Sequence, residues 1–293
     1  MVARTDCLFL EQTIPHLVRA CNFPFTEKVA FIDTAPLGRR FAERFGIGTD
    51  AELRQSVEKL IEGGHLDRAV DISYDRNLRK TVYKQTFGRD LWEVQDSGGY
   101  PVLGLIQSFD SLAGDYVLHL DIDLLCHGST EGSWVLEGIR TLEANDDLVF
   151  IAPLSGPPSL DGRLYQGPTA YRHDVERDLY LFQDVTSRKV LFRRETYKAL
   201  LPMRPLWTSP RRRLMSQFTR KSQLWNWEII VSERLRENGQ FRADLSGKFG
   251  WMLHTPDHGP RFIERLPELI ERVETGDVPD GQRGHYDLDL DLW

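Results

Sequence analysis

The first half of the chain alternates between short apolar runs and segments whose apolar residues recur at helical spacing. The runs predict buried strands and the spaced segments predict amphipathic helices. Predicted helices cover residues 8–21, 50–63, 101–112 and 134–145, and predicted strands cover residues 29–33, 69–74, 116–121 and 148–153. Because strands and helices follow one another in turn, we expect an α/β fold with a Rossmann-like, mostly parallel central sheet flanked by helices and joined by right-handed crossovers.

The second half is less regular. Residues 156–180 are rich in glycine, proline and charge, which predicts a long loop or short strands. Further strands are predicted at residues 186–192 and 248–253, and helices at residues 195–201, 227–238 and 261–274. A tail rich in glycine and aspartate then runs to Trp293. We interpret residues 1–293 as a single domain.

The apolar run over residues 116–125 contains two carboxylates, Asp121 and Asp123, separated by one residue. Side chains alternate between faces along a strand, so both carboxylates are expected to point the same way, with Ile122 opposite. Two buried carboxylates are costly without compensation, and a cation would relieve that cost. Mg²⁺ and Mn²⁺ are held in proteins by one or two carboxylates together with phosphate oxygens. At the carboxyl edge of a parallel sheet, this pattern predicts a metal site for a substrate that carries a diphosphate.

The same spacing recurs in the tail at Asp287, Asp289 and Asp291. In an acidic protein, most such pairs are solvated turns or helix caps, and we interpret the tail acids in that way. The apolar run before Asp121 distinguishes the first pair and favours a metal role for it.

Composition narrows the class of protein. The hydrophobic fraction of 41% and the charged fraction of 28% are ordinary for a soluble globular protein, and the net charge of −7 argues against a general nucleic-acid binder. Neither a transmembrane stretch nor a signal peptide is expected from the sequence. The three cysteines form no Cys-x-x-Cys pair, which favours a reduced, cytoplasmic compartment.

Three further residues could carry chemistry. Asp33 ends its predicted strand at the same sheet edge as Asp121, where it could accept a hydrogen bond from a base or ribose, or serve as a turn acid. Glu228 opens a helix and could act as a general base on an acceptor hydroxyl, although the helix dipole alone could account for an acid there. His254 follows an apolar run and could be a third ligand for Mn²⁺, or a structural residue at a strand end.

Other candidates are weaker. Trp227, beside Glu228, could form part of a sugar pocket. Arg76 follows a predicted strand and could approach a diphosphate, although cations at helical spacing are often only a solvated face. Gly98 and Gly99 permit close backbone approach before a helix, which suits phosphate or ribose contact. His119 shares the face of Asp121 but lies deeper, so we expect it to be a hydrogen-bonded supporting residue.

Taken together, these motifs resemble a glycosyltransferase of the GT-A fold, and the chain is most similar to family two, whose members are inverting enzymes. The matches are residues 4–6 leading into a helix and the strand at 29–33, the Asp-x-Asp strand at 116–123, and residues 225–228 before a helix. The resemblance covers roughly residues 1–258. It divides the domain into a nucleotide-sugar half at about 1–130, an acceptor half at about 131–260, and a C-terminal helix and tail at 261–293.

The resemblance implies a role for each matched residue. Asp33 would contact the nucleotide, Asp121 and Asp123 would bind the metal and ribose, Glu228 would receive the acceptor, and His254 would bind the metal, Mn²⁺ or Mg²⁺. The donor would be a UDP, GDP or dTDP sugar, and the acceptor a carbohydrate, a lipid-linked molecule or a small molecule. Displacement at the anomeric carbon would proceed with inversion.

The chain departs from the family pattern at two places. Only residues 1–4 precede the first predicted helical segment where members have a full strand, so that strand is very short or truncated. Trp227 and Glu228 also replace a Glu-Asp pair. Two other functions compete with transfer of a sugar: a sugar-nucleotide pyrophosphorylase, which usually has a glycine-rich basic loop after its first strand, and a non-catalytic carbohydrate-binding protein.

Overall fold

The computed structural model describes residues 1–37, 39–165, 170–219 and 221–293 of the chain. Its helices are α1 (Leu10–Cys21), α2 (Arg39–Ala42), α3 (Asp50–Glu62), α4 (Arg76–Phe87), α5 (Val102–Asp110), α6 (Trp134–Ala144), α7 (Arg194–Ala199), α8 (Pro210–Thr219), α9 (Trp227–Asn238) and α10 (Pro260–Thr275). Its strands are β1 (Val29–Ile32), β2 (Arg68–Asp71), β3 (Tyr116–Leu120), β4 (Leu124–Gly128), β5 (Leu148–Ala152), β6 (Leu154–Ser155), β7 (Tyr171–Asp174), β8 (Leu179–Phe182), β9 (Lys189–Arg193), β10 (Phe241–Leu245) and β11 (Gly250–His254). Short 3₁₀ turns cover Arg4–Asp6 and Asp280–Gln282.

The predicted helices of the first half and α9 and α10 of the second are confirmed to within a few residues. Local sequence explains where they begin and end. Thr49 and Glu52 form a capping box before α3, and the side chain of Asn226 accepts from the backbone of Ile229 at the start of α9. Gly239 ends α9 in the left-handed region, at φ +67°.

The prediction of a mostly parallel central sheet is wrong. The largest sheet has six strands in the order β3-β9-β5-β10-β8-β7, in which the β5–β10 pair is parallel and the four other described neighbouring pairs are antiparallel. A three-stranded sheet, β4-β11-β6, and a parallel β1–β2 pair complete the described strands. The chain is therefore mixed α/β.

The burial of the antiparallel strands explains why the sequence did not reveal the direction of the strands. Strands of parallel sheets appear as continuous apolar runs because both of their faces are covered. Here the antiparallel strands β8 and β9 are covered in the same way, so that every residue of β8 and four of the five in β9 are buried. Strand β9 also lies between β3 and β5, although it follows β5 by almost forty residues. The prediction assumed that strands consecutive in sequence are neighbours in the sheet, and this arrangement breaks that assumption.

Helix α10 packs against α1 and β4, so the C-terminal region is part of the same core as the first helix. His16 joins these elements: its Nε2 accepts the backbone N–H of Cys126 at 2.8 Å, and its Nδ1 lies 2.7 Å from Glu274 Oε1. Since Nε2 accepts, Nδ1 carries the proton and donates to Glu274. Within the described parts of the chain, no helix has both the length and the apolar character needed to cross a bilayer.

Candidate active site

A cleft of about 430 Å³ opens where the six-stranded and three-stranded sheets meet. Strand β3 ends at Leu120 and β4 begins at Leu124, so the chain leaves one sheet and enters the other between these residues. Asp121 donates its N–H to the carbonyl of Arg188, which extends the β3–β9 pairing. Asp123 accepts the N–H of Thr255, which extends the β4–β11 pairing. The two acids therefore sit at the junction of the sheets.

Both Asp121 and Asp123 line the cleft, as the sequence predicts, but strand alternation is not the cause. Residues 121–123 form a bend between two strands, not the end of one. Ile122 lies between the acids and packs into the apolar core. The bend thus brings the two carboxylates to one cavity.

The two carboxylates have different surroundings. His119 Nε2 lies 3.1 Å from Asp121 Oδ1, so His119 supports Asp121 as expected. Burial opposes ionisation of Asp121, yet this hydrogen bond and the nearby positive charges leave its pKa below the usual value. Burial, followed by the charge of Asp121, raises the pKa of Asp123 to about 7. Oδ1 of Asp123 is buried and has no hydrogen-bond partner among the described residues.

Two imidazoles face the second acid. His254 Nε2 lies 3.8 Å and His258 Nε2 lies 3.6 Å from Asp123 Oδ2. The other ring nitrogen of His254, Nδ1, lies 2.6 Å from Asp287 Oδ1. Burial lowers the pKa of His258 to about 4, so this ring is neutral at physiological pH. An unprotonated imidazole nitrogen beside a carboxylate is a ligand that divalent metals accept.

The residues that could hold a divalent cation are Asp121, Asp123 and His254. In the described part of the chain, no three His, Cys, Asp or Glu side chains are already gathered in the arrangement of a metal site. The donor chemistry nevertheless fits Mn²⁺ or Mg²⁺, because a buried carboxylate oxygen that lacks a partner is costly unless a cation or proton satisfies it.

The wall of the cleft also includes Asp33 and Gly99. Asp33 Oδ1 accepts the hydroxyl of Tyr74 at 2.6 Å and the N–H of Ala35 at 2.8 Å, which holds the side chain in place. Gly99, at φ +88°, belongs to a turn built on Asp96, whose Oδ1 accepts the N–H of Gly98 at 2.7 Å.

Four predicted residues are absent from the described wall of the cleft: Arg76, Gly98, Trp227 and Glu228. Arg76 is exposed at the start of α4. Trp227 is only 1% exposed and packs edge-on against Phe109 and Phe150. Its indole face offers nothing to a ligand in this structure, so we do not retain Trp227 as a sugar-binding residue.

Glu228 lies beside the cleft without lining it. Its Oε1 accepts the backbone N–H of Ser187 at 2.6 Å and the hydroxyl of the same residue at 2.9 Å. The next residue, Arg188, lines the cleft and interacts electrostatically with Asp121, Asp123 and Glu228. The carboxylate of Glu228 thus contacts Ser187, the residue next to Arg188 in the wall of the cleft.

Charged residues of the cleft to which no role was assigned from the sequence include Asp6, Arg188 and Asp287. Asp6 caps its own 3₁₀ turn through the N–H of Ala3, and burial raises its pKa to about 6. Asp6 lies in the stretch 4–6 that enters the family resemblance but was assigned no role, and Arg188 belongs to no recognisable motif. Asp287 was interpreted as a solvated tail acid; its side chain is largely exposed, but it also contacts His254. The alternation of apolar and polar residues at Tyr286, Asp287 and Leu288 is the signal in the sequence that could have indicated an extended segment here.

No protein-family model matches the chain, and no curated protein matches it either. Any assignment of function must therefore be argued from the geometry of the cleft and the motifs around it.

Proposed function

We propose that the protein is a metal-dependent glycosyltransferase that moves a sugar from a nucleoside-diphosphate sugar to an acceptor hydroxyl. The observation that supports this most is the meeting of Asp121, Asp123 and His254 at one cleft, together with the unpartnered oxygen of Asp123. The volume of about 430 Å³ lies in the range of small-molecule and cofactor sites. The choice of sugar transfer as the reaction rests on the resemblance of the motifs to GT-A glycosyltransferases.

In this proposal, Asp121, Asp123 and His254 hold Mn²⁺ or Mg²⁺. When bound, the cation would neutralise charge on the departing nucleoside diphosphate. Arg188 brings a further positive charge to the same wall. Asp33 is fixed by Tyr74 through Oδ1; its Oδ2 has no hydrogen-bond partner among the described residues and would accept from the ribose or base.

The proposal assigns proton transfer to Glu228. With Oε1 fixed by Ser187, the carboxylate is held in one orientation; among the described residues, its other oxygen has a single long contact of 3.4 Å, with Asn226. Glu228 would accept the proton of the acceptor hydroxyl as the new oxygen–carbon bond forms and the bond from the anomeric carbon to phosphate breaks. Inversion follows from the family resemblance. The acceptor would have to reach Glu228 past Arg188.

We also keep the cytoplasmic compartment as part of the proposal. Cys7, Cys21 and Cys126 are all free thiols, which fits a reducing environment.

The test begins with thermal-shift measurements on UDP, GDP and dTDP sugars, each with and without Mn²⁺. We expect one nucleotide to raise the melting temperature only when the metal is present, and that donor to be converted to nucleoside diphosphate when acceptors are supplied. EDTA should abolish the reaction. Release of pyrophosphate would instead indicate a nucleotidyltransferase, and sugar binding that needs no metal would indicate a carbohydrate-binding protein.

Two matched variants sharpen this test. Asp123→Asn removes the charge proposed to bind the cation, so both the Mn²⁺-dependent shift and turnover should disappear. Asp115→Asn makes the same chemical change at an exposed position just before β3, outside the described cleft, and should leave both intact. Equal behaviour of the two variants would contradict the proposal.

A further inference from the structure

Asp287 holds the imidazole of His254 by its far nitrogen. The two residues are 33 positions apart, yet Asp287 Oδ1 lies 2.6 Å from His254 Nδ1. A carboxylate carries no hydrogen to donate, so Nδ1 of His254 donates and holds a proton. In the neutral form of the ring, the lone pair is then on Nε2, the nitrogen that faces Asp123.

The backbone around Asp287 is arranged to deliver this contact. His254 donates its N–H to the carbonyl of Tyr286 and accepts the N–H of Leu288, both at 2.8 Å. These two bonds place Asp287 directly beside His254, which the β-bridge between them also records. The ring of Tyr286 stacks on the imidazole, with centroids 5.8 Å apart.

The tail itself is anchored by a buried glutamine. Gln282, which is 0% exposed, donates its Nε2 to the carbonyl of Asp287 at 3.0 Å and accepts the N–H of Asp289 at 3.0 Å. Its Oε1 also accepts the indole N–H of Trp293 at 2.9 Å. Asp287 is therefore carried on a fixed segment, even though its side chain is 67% exposed toward the cleft.

We infer that Asp287 is a positioning residue for the metal site: by holding the proton on Nδ1, it presents Nε2 of His254 as a ligand beside Asp123. Carboxylates that accept from the second nitrogen of a metal-binding histidine fix its tautomer and ring orientation, and their loss typically weakens metal affinity about 10–100-fold. This inference rests on the proposed function, because it presupposes a cation at Asp121 and Asp123.

The test has one readout that needs no metal. In protein labelled with ¹⁵N-histidine, long-range ¹H–¹⁵N spectra distinguish the two neutral tautomers, and His254→Gln identifies the signal of His254. We expect the Nδ1–H form in the unsubstituted protein and its loss in Asp287→Ala. Mn²⁺ binding, measured by the electron paramagnetic resonance of free Mn²⁺, should weaken about 10–100-fold in the same variant.

Two further variants guard the result. Asp287→Asn retains an oxygen acceptor and should keep the Nδ1–H tautomer with a smaller loss of affinity, which also covers misfolding of the alanine variant. Asp289→Asn changes a neighbouring exposed tail acid and should alter neither readout.

The outcomes separate the two proposals. If the unsubstituted protein binds no Mn²⁺, with or without UDP or GDP, the proposed function fails and the role of Asp287 fails with it. If it binds Mn²⁺ and Asp287→Ala binds equally well with His254 still in the Nδ1–H form, the role of Asp287 is overturned and the proposed function stands.

Discussion

Thr255 gives two hydrogen bonds to one acceptor, the carbonyl oxygen of Asp123: its backbone N–H lies 3.0 Å and its hydroxyl 2.9 Å away. Thr255 is 1% exposed and directly follows His254. His254 and Thr255 therefore act together: His254 is the candidate ligand, and Thr255 fixes the backbone of Asp123, the acid that His254 faces. The distance between His254 and Asp123 is set by strand pairing and not by the two side chains alone.

Thr255→Val tests this coupling. The substitution removes the hydroxyl bond and retains the N–H bond, so we expect the free energy of unfolding to fall by about 1 kcal/mol, measured by urea denaturation. Mn²⁺ affinity should weaken several-fold because Asp123 gains freedom. Thr275→Val is the control: its hydroxyl bonds to the carbonyl of Glu271 at an exposed position near the end of α10, so metal affinity should not change. Unaltered affinity in Thr255→Val would refute the coupling.

The raised pKa of Asp123 predicts that the stability of the metal-free protein falls as the pH rises. Burial and the charge of Asp121 raise its pKa to about 7, above about 3.9 for an unfolded chain. Between these values the native state binds more protons than the unfolded state, so the stability contributed by this group is present below about pH 4 and is lost as the pH rises through 7. A bound cation should offset this loss.

Asp123→Asn removes the titration. In EDTA at pH 8, we expect this variant to be more stable than the unsubstituted protein, by about 2 kcal/mol, which is less than the full pKa shift because the side chain keeps some contact with water. Urea denaturation at pH 5 and pH 8 measures the difference, which should be smaller at pH 5. A destabilised Asn variant at pH 8 would show that Asp123 is satisfied by protein partners.

Glu228→Gln separates proton transfer from binding. The amide is nearly the same size and cannot accept the acceptor proton, so we expect kcat to fall about 10²–10⁴-fold while Mn²⁺ and nucleotide affinities stay within twofold. Ser187→Ala removes one of the two donors to Oε1 and should reduce kcat less. Rates follow from the release of nucleoside diphosphate. If Glu228→Gln keeps full activity, another group is the base.

Local structure in this chain could be predicted from its sequence, but the pairing of strands could not. Helix α9 was predicted with its observed bounds, because Asn226 and Gly239 mark both ends. Strand β4 was missed because residues 116–125 form one apolar run, and the bend at residues 121–123 contains neither glycine nor proline to mark it. Which sheet a strand joins depends on partners distant in sequence, such as β9 and β11.

The candidate site divides in the same way. Asp121 and Asp123 could be found because two carboxylates in an apolar run are chemically conspicuous. Arg188 and Asp287 could not, because each reaches the cleft through long-range pairing, with Asp121 and with His254 respectively. Trp227 shows the reverse case. An aromatic residue beside an acid suggests a sugar site, but at the start of α9 the side chain of Trp227 is buried in the core.

A buried ionic network around Asp244 yields the last prediction. Asp244, at 0% exposure, accepts from Ser155, lies 3.5 Å from Lys189 Nζ and 3.1 Å from a nitrogen of Arg242. Lys189 is also 0% exposed, and burial lowers its pKa to about 8. Removing one partner of a buried ion pair leaves uncompensated charge, which typically costs about 3–5 kcal/mol.

We therefore expect Asp244→Asn to lower the free energy of unfolding by about 3 kcal/mol at pH 7 in urea denaturation. Raising the pH to 9 should recover part of this loss, because Lys189 then gives up its proton in the native state while an unfolded lysine remains charged. Asp184→Asn is the matched control, since its ion pair with Arg236 is exposed and should contribute less than about 1 kcal/mol. Equal effects of the two substitutions, or no recovery at pH 9, would mean that water reaches the network and screens its charges.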